Sequence, residues 1–179
     1  MIHNFNIVWL TGMSGSGKST LSEYVKNIYQ KDGYNVRIID GDEIRNKEAK
    51  KLGFSRKDVR INNLRIAKLC LQLKNSGIDL ILVSVISPYN EIRKDVKLLL
   101  EPYYHLVYIE ANINSLKDRD PKGLYNAADQ GEIKDLVGYS DINPYEKPSD
   151  ANFIVNTDSK ISLSVSKESL LKFIKSITN

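Results

Sequence analysis

Apolar residues recur along this chain in two alternating rhythms. Short, largely apolar runs at Ile7–Thr11 (IVWLT), Val36–Ile39, Leu80–Ile86 (LILVSVI), Leu106–Ala111 and Phe153–Asn156 read as buried strands. Between them the spacing turns helical. Leu21, Tyr24, Val25, Ile28 and Tyr29 share one face of a helix that ends near Gly33. Leu64, Ala67 and Leu71 mark a second helix, closed by Asn75-Ser76-Gly77, and Val96–Leu100 end another before Pro102. Leu170, Leu171, Ile174 and Ile177 predict a C-terminal amphipathic helix. Strands alternating with helices predict an α/β fold, a five-stranded parallel sheet with helices on both faces. In such a sheet crossovers are right-handed and ligands bind beyond the carboxyl ends of the strands. Residues 120–150 break the rhythm: Pro121, Gly123, Gly131, Gly138, Pro144 and Pro148 stand among many charges, the composition of a lid or binding loop.

With 179 residues, 41% of them hydrophobic, and no shift in composition, one domain over 1–179 is expected. The formal charge is +4, and a basic bias sits at 45–60, where Arg45, Lys47, Lys50, Lys51, Arg56, Lys57 and Arg60 outnumber Glu48 and Asp58. That suits a small polyanion. Without an aromatic platform or zinc-ligand spacing it does not argue for nucleic acid. A lone cysteine, Cys70, excludes an internal disulfide and fits a reducing compartment. The first residues lack the basic lead and long apolar core of a secretory leader, and the apolar runs are too short to span a bilayer. A cytoplasmic protein with no membrane partner is expected.

Candidate chemistry begins immediately after the first strand. Gly12-Met13-Ser14-Gly15-Ser16-Gly17-Lys18-Ser19-Thr20 fits the Walker A pattern, with a buried strand before it and an amphipathic helix after it. These residues are the expected contacts to ATP. Backbone N–H groups and the helix N-terminus face the phosphates, Lys18 reaches the β- and γ-phosphates, and the Ser19 hydroxyl ligates Mg²⁺. A GTP switch would need an Asn-Lys-x-Asp base reader, but Asn46-Lys47 is followed by Glu48-Ala49. A hydrolytic ATPase usually ends an apolar strand in an acid, whereas LILVSVI runs into Ser87-Pro88. A small-molecule kinase remains. The second strand ends in Asp40-Gly41-Asp42, beside the cradle in a parallel sheet. One carboxylate there can order the metal's surroundings (Asp40) while the other takes a proton from an attacking hydroxyl (Asp42). Arg45 can hold an anionic group of the acceptor.

GMSGSGKST, DGDEIR, LGFS (52–55), SVISPY (84–89), RDPKGLY (119–125) and NPYEKP (143–148) occur in this order, and the set resembles the adenylyl-sulfate kinase family over almost the whole chain. The resemblance implies an adenylate-kinase-like P-loop fold. It also implies transfer of the γ-phosphate of ATP to the 3′-hydroxyl of adenylyl sulfate, and a homodimer. By the same resemblance Asp40, Asp42 and Arg45 match metal- and acceptor-binding positions, Phe54 an aromatic of the acceptor pocket, and Asn62 an asparagine on the next helix. Ser87 matches a serine described in the family as a phosphoserine intermediate, although direct in-line transfer needs no covalent stage. Arg119 and Lys122 match basic lid residues.

Departures cluster on the acceptor side. A Phe-Thr-Gly run that sandwiches the acceptor's adenine is Leu136-Val137-Gly138 here, which leaves Leu136 as an apolar wall without a π face; Tyr139 is a candidate replacement. Val59 stands where the family has an acceptor-binding arginine; Arg60 is adjacent, but one helical step rotates a side chain by about 100°. Asn90 replaces a frequent arginine, and Arg93 is retained. These changes leave a second acceptor open, a smaller pyrimidine nucleotide such as cytidine diphosphoramidate, along with the less favoured reading of a non-catalytic ATP-binding regulator.

Overall fold

The computed structural model describes residues 4–46 and 52–178, so Lys47, Glu48, Lys50 and Lys51 of the basic stretch lie outside the described residues. Strand β1 (Asn6–Thr11) is buried at every position. It lies at the centre of a five-stranded, all-parallel sheet ordered β2-β3-β1-β4-β5, with β2 at Val36–Asp40, β3 at Leu80–Ser84, β4 at Tyr104–Glu110 and β5 at Phe153–Asn156. Registers such as Leu10 opposite Ser84 and Leu10 opposite Val107 bring the strand ends to one edge.

Period-two alternation divides β1 between two cores. Val8 and Leu10 pack against Leu21, Val25 and Tyr29 of α1 (Lys18–Lys31) and Leu170, Leu171 and Ile174 of α7 (Leu163–Thr178). Ile7 and Trp9 face the other way, toward Ile66, Ala67 and Cys70 of α3 (Arg56–Leu73) and Val96 and Leu100 of α4 (Asn90–Leu100). Burial on both faces is what keeps β1 and β3 free of charge. Among the described residues no helix is long and apolar enough to cross a membrane.

The structure differs from the sequence expectation in three respects. The run at 80–86 leaves the sheet after Ser84, where Val85 N–H turns to Leu10 O and Ile86 O accepts from Gly12 N–H beneath the phosphate loop. Secondly, α3 starts at Arg56, capped by the Ser55 side chain, and buries Val59, Asn62, Asn63, Ile66, Ala67 and Cys70, while Leu64 and Leu71 are only partly buried. The buried stripe is rotated from the one hydropathy drew, because two of its members are asparagines. Thirdly, short helices appear that periodicity cannot register: α2 (Gly41–Asn46), α5 (Ile113–Arg119) and, inside the irregular stretch, α6 (Leu124–Asp129).

Candidate active site

The loop after β1 wraps the start of α1. Gly17, at φ 94°, occupies the left-handed region that a side chain would strain, and from there the chain enters the helix. The Lys18 ammonium is enclosed by its own loop and donates to the carbonyl oxygens of Gly12 and Met13, both at 2.8 Å. Burial lowers its pKa to about 8; Asp42 and Asp40 pull upward, and Lys122 adds to the lowering. The Met13 side chain turns to the lid cluster of Leu116, Tyr125 and Leu136. Ser14, Gly15, Ser16, Gly17, Ser19 and Thr20 line a cleft of about 680 Å³ with Asp40, Asp42, Arg119 and Lys122.

Asp40 organises the second loop. Its Oδ2 accepts from Ser19 Oγ at 3.2 Å, and its Oδ1 accepts the Asp42 N–H at 2.9 Å. Gly41 is required by close approach, since a Cβ there would lie 2.7 Å from Val85 Cγ2. Asp42 pairs with Lys122 of the lid at 2.7 Å, and this hydrogen bond raises the Lys122 pKa. Arg119 reaches the cleft from α5, holding the carbonyl oxygens of Ser115 (2.9 Å) and Thr157 (2.6 Å).

On the other side of Asp42 a narrow pocket is lined by Arg45, Phe54, Val59, Asn62, Ser87 and Val137, among others. The Arg45 guanidinium lies 4.7 Å from the centre of the Phe54 ring and donates to Gly53 O. Asn62 Nδ2 lies 3.4 Å from Gly41 O. Ser87 is buried at φ 45° with an unpartnered Oγ. Arg93, also buried, donates to the carbonyl oxygens of Ser87 and Glu146, tying this wall to the base of the lid.

Three residues expected to contact the acceptor are not brought to this pocket: Lys122, which lines the phosphate cleft instead, Arg60 and Leu136. Arg60 pairs with Asp95 of α4 at 2.9 Å, one helical step from pocket-lining Val59. Leu136 is buried in the lid cluster with Leu116 and Tyr125, and its neighbour Val137 faces the pocket instead. Tyr139 stacks edge-on against Tyr125 and bonds Asp129, so it does not replace the missing aromatic. Sequence reasoning also missed the cleft's far wall, including Thr157, Asp158, Ser159, Ile161 and Leu163. Its signal was available: Thr157 directly follows β5, at the carboxyl edge where ligands bind.

A phosphate cradle at the head of α1, sharing an acid with a second pocket, is the arrangement of a P-loop phosphotransferase. A model of the family "Adenylylsulphate kinase" matches residues 4–156. The chain is 43% identical over 152 residues to the adenylyl-sulfate kinase of Chloroflexus aurantiacus, covering 85% of this chain and 80% of that one. It is 39% identical over 171 residues to that of Microcystis aeruginosa, covering 96% and 90%. Among solved structures, the Mycobacterium tuberculosis APS kinase CysC in complex with AMPPNP and APS superposes with a TM-score of 0.84 at 29% identity, covering 96% of this chain and 98% of that one. The chain belongs to the adenylylsulphate kinase family, whose members are ATP-dependent kinases that phosphorylate a hydroxyl group.

Proposed function

We propose that the chain transfers the γ-phosphoryl group of ATP to the 3′-hydroxyl of adenylyl sulfate, giving 3′-phosphoadenylyl sulfate and ADP. The observation that carries this reading is the position of Asp42, which lines both the phosphate cleft and the acceptor pocket. A hydroxyl held in the second is thereby within reach of a carboxylate that also borders the first.

In the proposed step the 3′-oxygen forms a bond to the γ-phosphorus as the bond to the β–γ bridging oxygen breaks, and the hydroxyl proton passes to Asp42. Lys122 has to release Asp42 for this, because its ammonium sits 2.7 Å from the carboxylate oxygen that the hydroxyl must reach. Lys18 exchanges its loop carbonyls for phosphate oxygens, which restores charge compensation to a buried ammonium. Arg119 contributes positive charge at the lid side of the cleft. Ser19 Oγ and the Asp40 carboxylate form an oxygen-only donor pair that fits a hard divalent cation completed by phosphate oxygens and water. These residues would hold Mg²⁺, which supplies charge neutralisation along the triphosphate. Arg45, Phe54 and Asn62 seat the acceptor, and direct transfer leaves Ser87 a structural part of that wall. We also assign a homodimer, as the resemblance implies; sedimentation velocity checks it.

A second reading has support in the pocket itself. Phe54 is its one aromatic wall and Arg45 its one cation among the described residues, with Val59 and Val137 completing it. That suits a smaller, less anionic nucleotide such as cytidine diphosphoramidate. The deciding experiment offers labelled ATP with adenylyl sulfate, cytidine diphosphoramidate and plain nucleoside diphosphates. Label appearing chiefly in 3′-phosphoadenylyl sulfate is expected. Preferential labelling of a cytidine nucleotide would transfer the assignment to the second reading, and ATP binding without transfer to any acceptor would make the chain a regulator.

A further inference from the structure

Asn63 is 1% exposed and lines the acceptor pocket, where α3 presents Val59, Asn62 and Asn63 at i, i+3 and i+4 on one face. Its amide NH₂ donates to Val59 O at 2.9 Å, one turn back along the helix. A carbonyl oxygen only accepts, so this bond fixes which end of the amide is nitrogen and leaves Oδ1 on the other side. That oxygen is buried and has no hydrogen-bond partner. The same is true of Asn62 Oδ1, whose NH₂ is directed at Gly41 O, and of Ser87 Oγ in the same wall. Buried polar groups in native proteins are nearly always paired, so a group of orphaned oxygens in one pocket calls for a ligand that brings donors.

We propose that the Asn63 carboxamide oxygen is a specificity-determining hydrogen-bond acceptor for the phosphoryl-accepting nucleotide, receiving an N–H or O–H of its base or sugar. Two unpaired carbonyl oxygens on that wall disfavour an anion beside them, so the acceptor's charged groups lie toward Arg45 and the Asn62–Asn63 edge reads a neutral donor. An exocyclic amine and a sugar hydroxyl share this chemistry. The inference rests on the pocket being the acceptor site, as proposed above, and it extends that reading to a residue that no sequence pattern singled out.

The test compares the full chain with Asn63→Leu, a swap of similar volume that removes the amide. Wild type is assayed first on adenylyl sulfate. If it transfers nothing, the proposed function fails by itself, and the comparison is made on whichever nucleotide of the panel is phosphorylated. Asn63→Leu is expected to raise the acceptor KM about tenfold while kcat and the ATP KM stay within about twofold. Acceptor analogues then remove one donor at a time, the amine by dimethylation and the 2′-hydroxyl by deoxy substitution. The analogue lacking the donor that Asn63 reads should lose about tenfold with wild type and nothing further with Asn63→Leu. A structural role for the Val59 hydrogen bond alone would not produce that insensitivity. An acceptor KM unchanged by Asn63→Leu, or analogue losses equal in both proteins, overturns the proposal. If Asn63→Leu melts early, Asn63→Ala gives the same comparison with no group left to accept.

Discussion

Lys18 sits where folding alone would not put a lysine. Enclosure lowers its pKa to about 8, and its partners are the carbonyl oxygens of its own loop, Gly12 and Met13, groups that a phosphate would displace in the proposed reaction. Lys18→Ala should reduce turnover by about 10²–10³-fold or more, the range for losing a preorganised charge in phosphoryl transfer, while the thermal midpoint holds or rises. Steady-state rates and a melt on the same preparation check both halves, and a near-normal rate would remove the loop from the chemistry. Lys18, Ser19, Asp40 and Asp42 could be picked out from spacing, and the structure brings all four to one cleft. Asn63 and Val137 could not. Hydropathy counts an asparagine as surface, and a one-residue offset turns a side chain to another face, which is how Val59 and Val137, rather than Arg60 and Leu136, come to line the narrow pocket beside Asp42.

The central strands were readable because β1 and β3 are buried at every position, whereas the short helices were not, since six or seven residues hold too little periodicity to register. The stretch at 120–150 shows what that conceals. It has the composition of a loop, yet α6 packs through Tyr125 into a cluster with Leu116 and Leu136. Tyr125 Oη donates to Ser14 O at 2.7 Å, so the lid is fastened to the phosphate cradle itself. At its far end Asn143 accepts from Tyr89 Oη at 3.1 Å, and Glu146 accepts from Asn90 N–H at 2.7 Å. The lid is therefore fastened at one end to the phosphate loop and at the other to the start of α4. Tyr125→Phe keeps the ring and deletes the fastening, leaving a buried carbonyl unpaired. It should lower stability by about 1–2 kcal/mol and raise the ATP KM more than the acceptor KM. Urea melts and initial rates read the two effects; an unchanged ATP KM would mean that the hydrogen bond serves the lid's packing and not the cradle.

Tyrosines are buried in both cores and in the lid, and this predicts how the protein responds to base. Of 10 tyrosines, Tyr29, Tyr89, Tyr104, Tyr108, Tyr125 and Tyr145 all have pKa values raised above the usual 10.0, in each case chiefly by burial, and burial pushes the Cys70 thiol from 9.0 up to about 12. In the unfolded chain these groups lose their protons near their ordinary values, so above about pH 9 the folded state binds more protons than the unfolded one and stability falls as pH rises. Lys18 acts in the opposite sense. Its folded pKa lies near 8, below the usual 10.5, so its share of stability grows across that interval. One amine partly offsets the thiol up to about pH 10, and beyond that the phenols outweigh it. The urea midpoint should therefore change little between about pH 8 and 9 and drop steeply above about 10. Phenolate absorbance should show the buried tyrosines silent until unfolding releases them. A midpoint that stays level to pH 11, with all the tyrosines titrating freely in the folded protein, would mean that these rings are far better solvated than their packing between sheet, helices and lid allows.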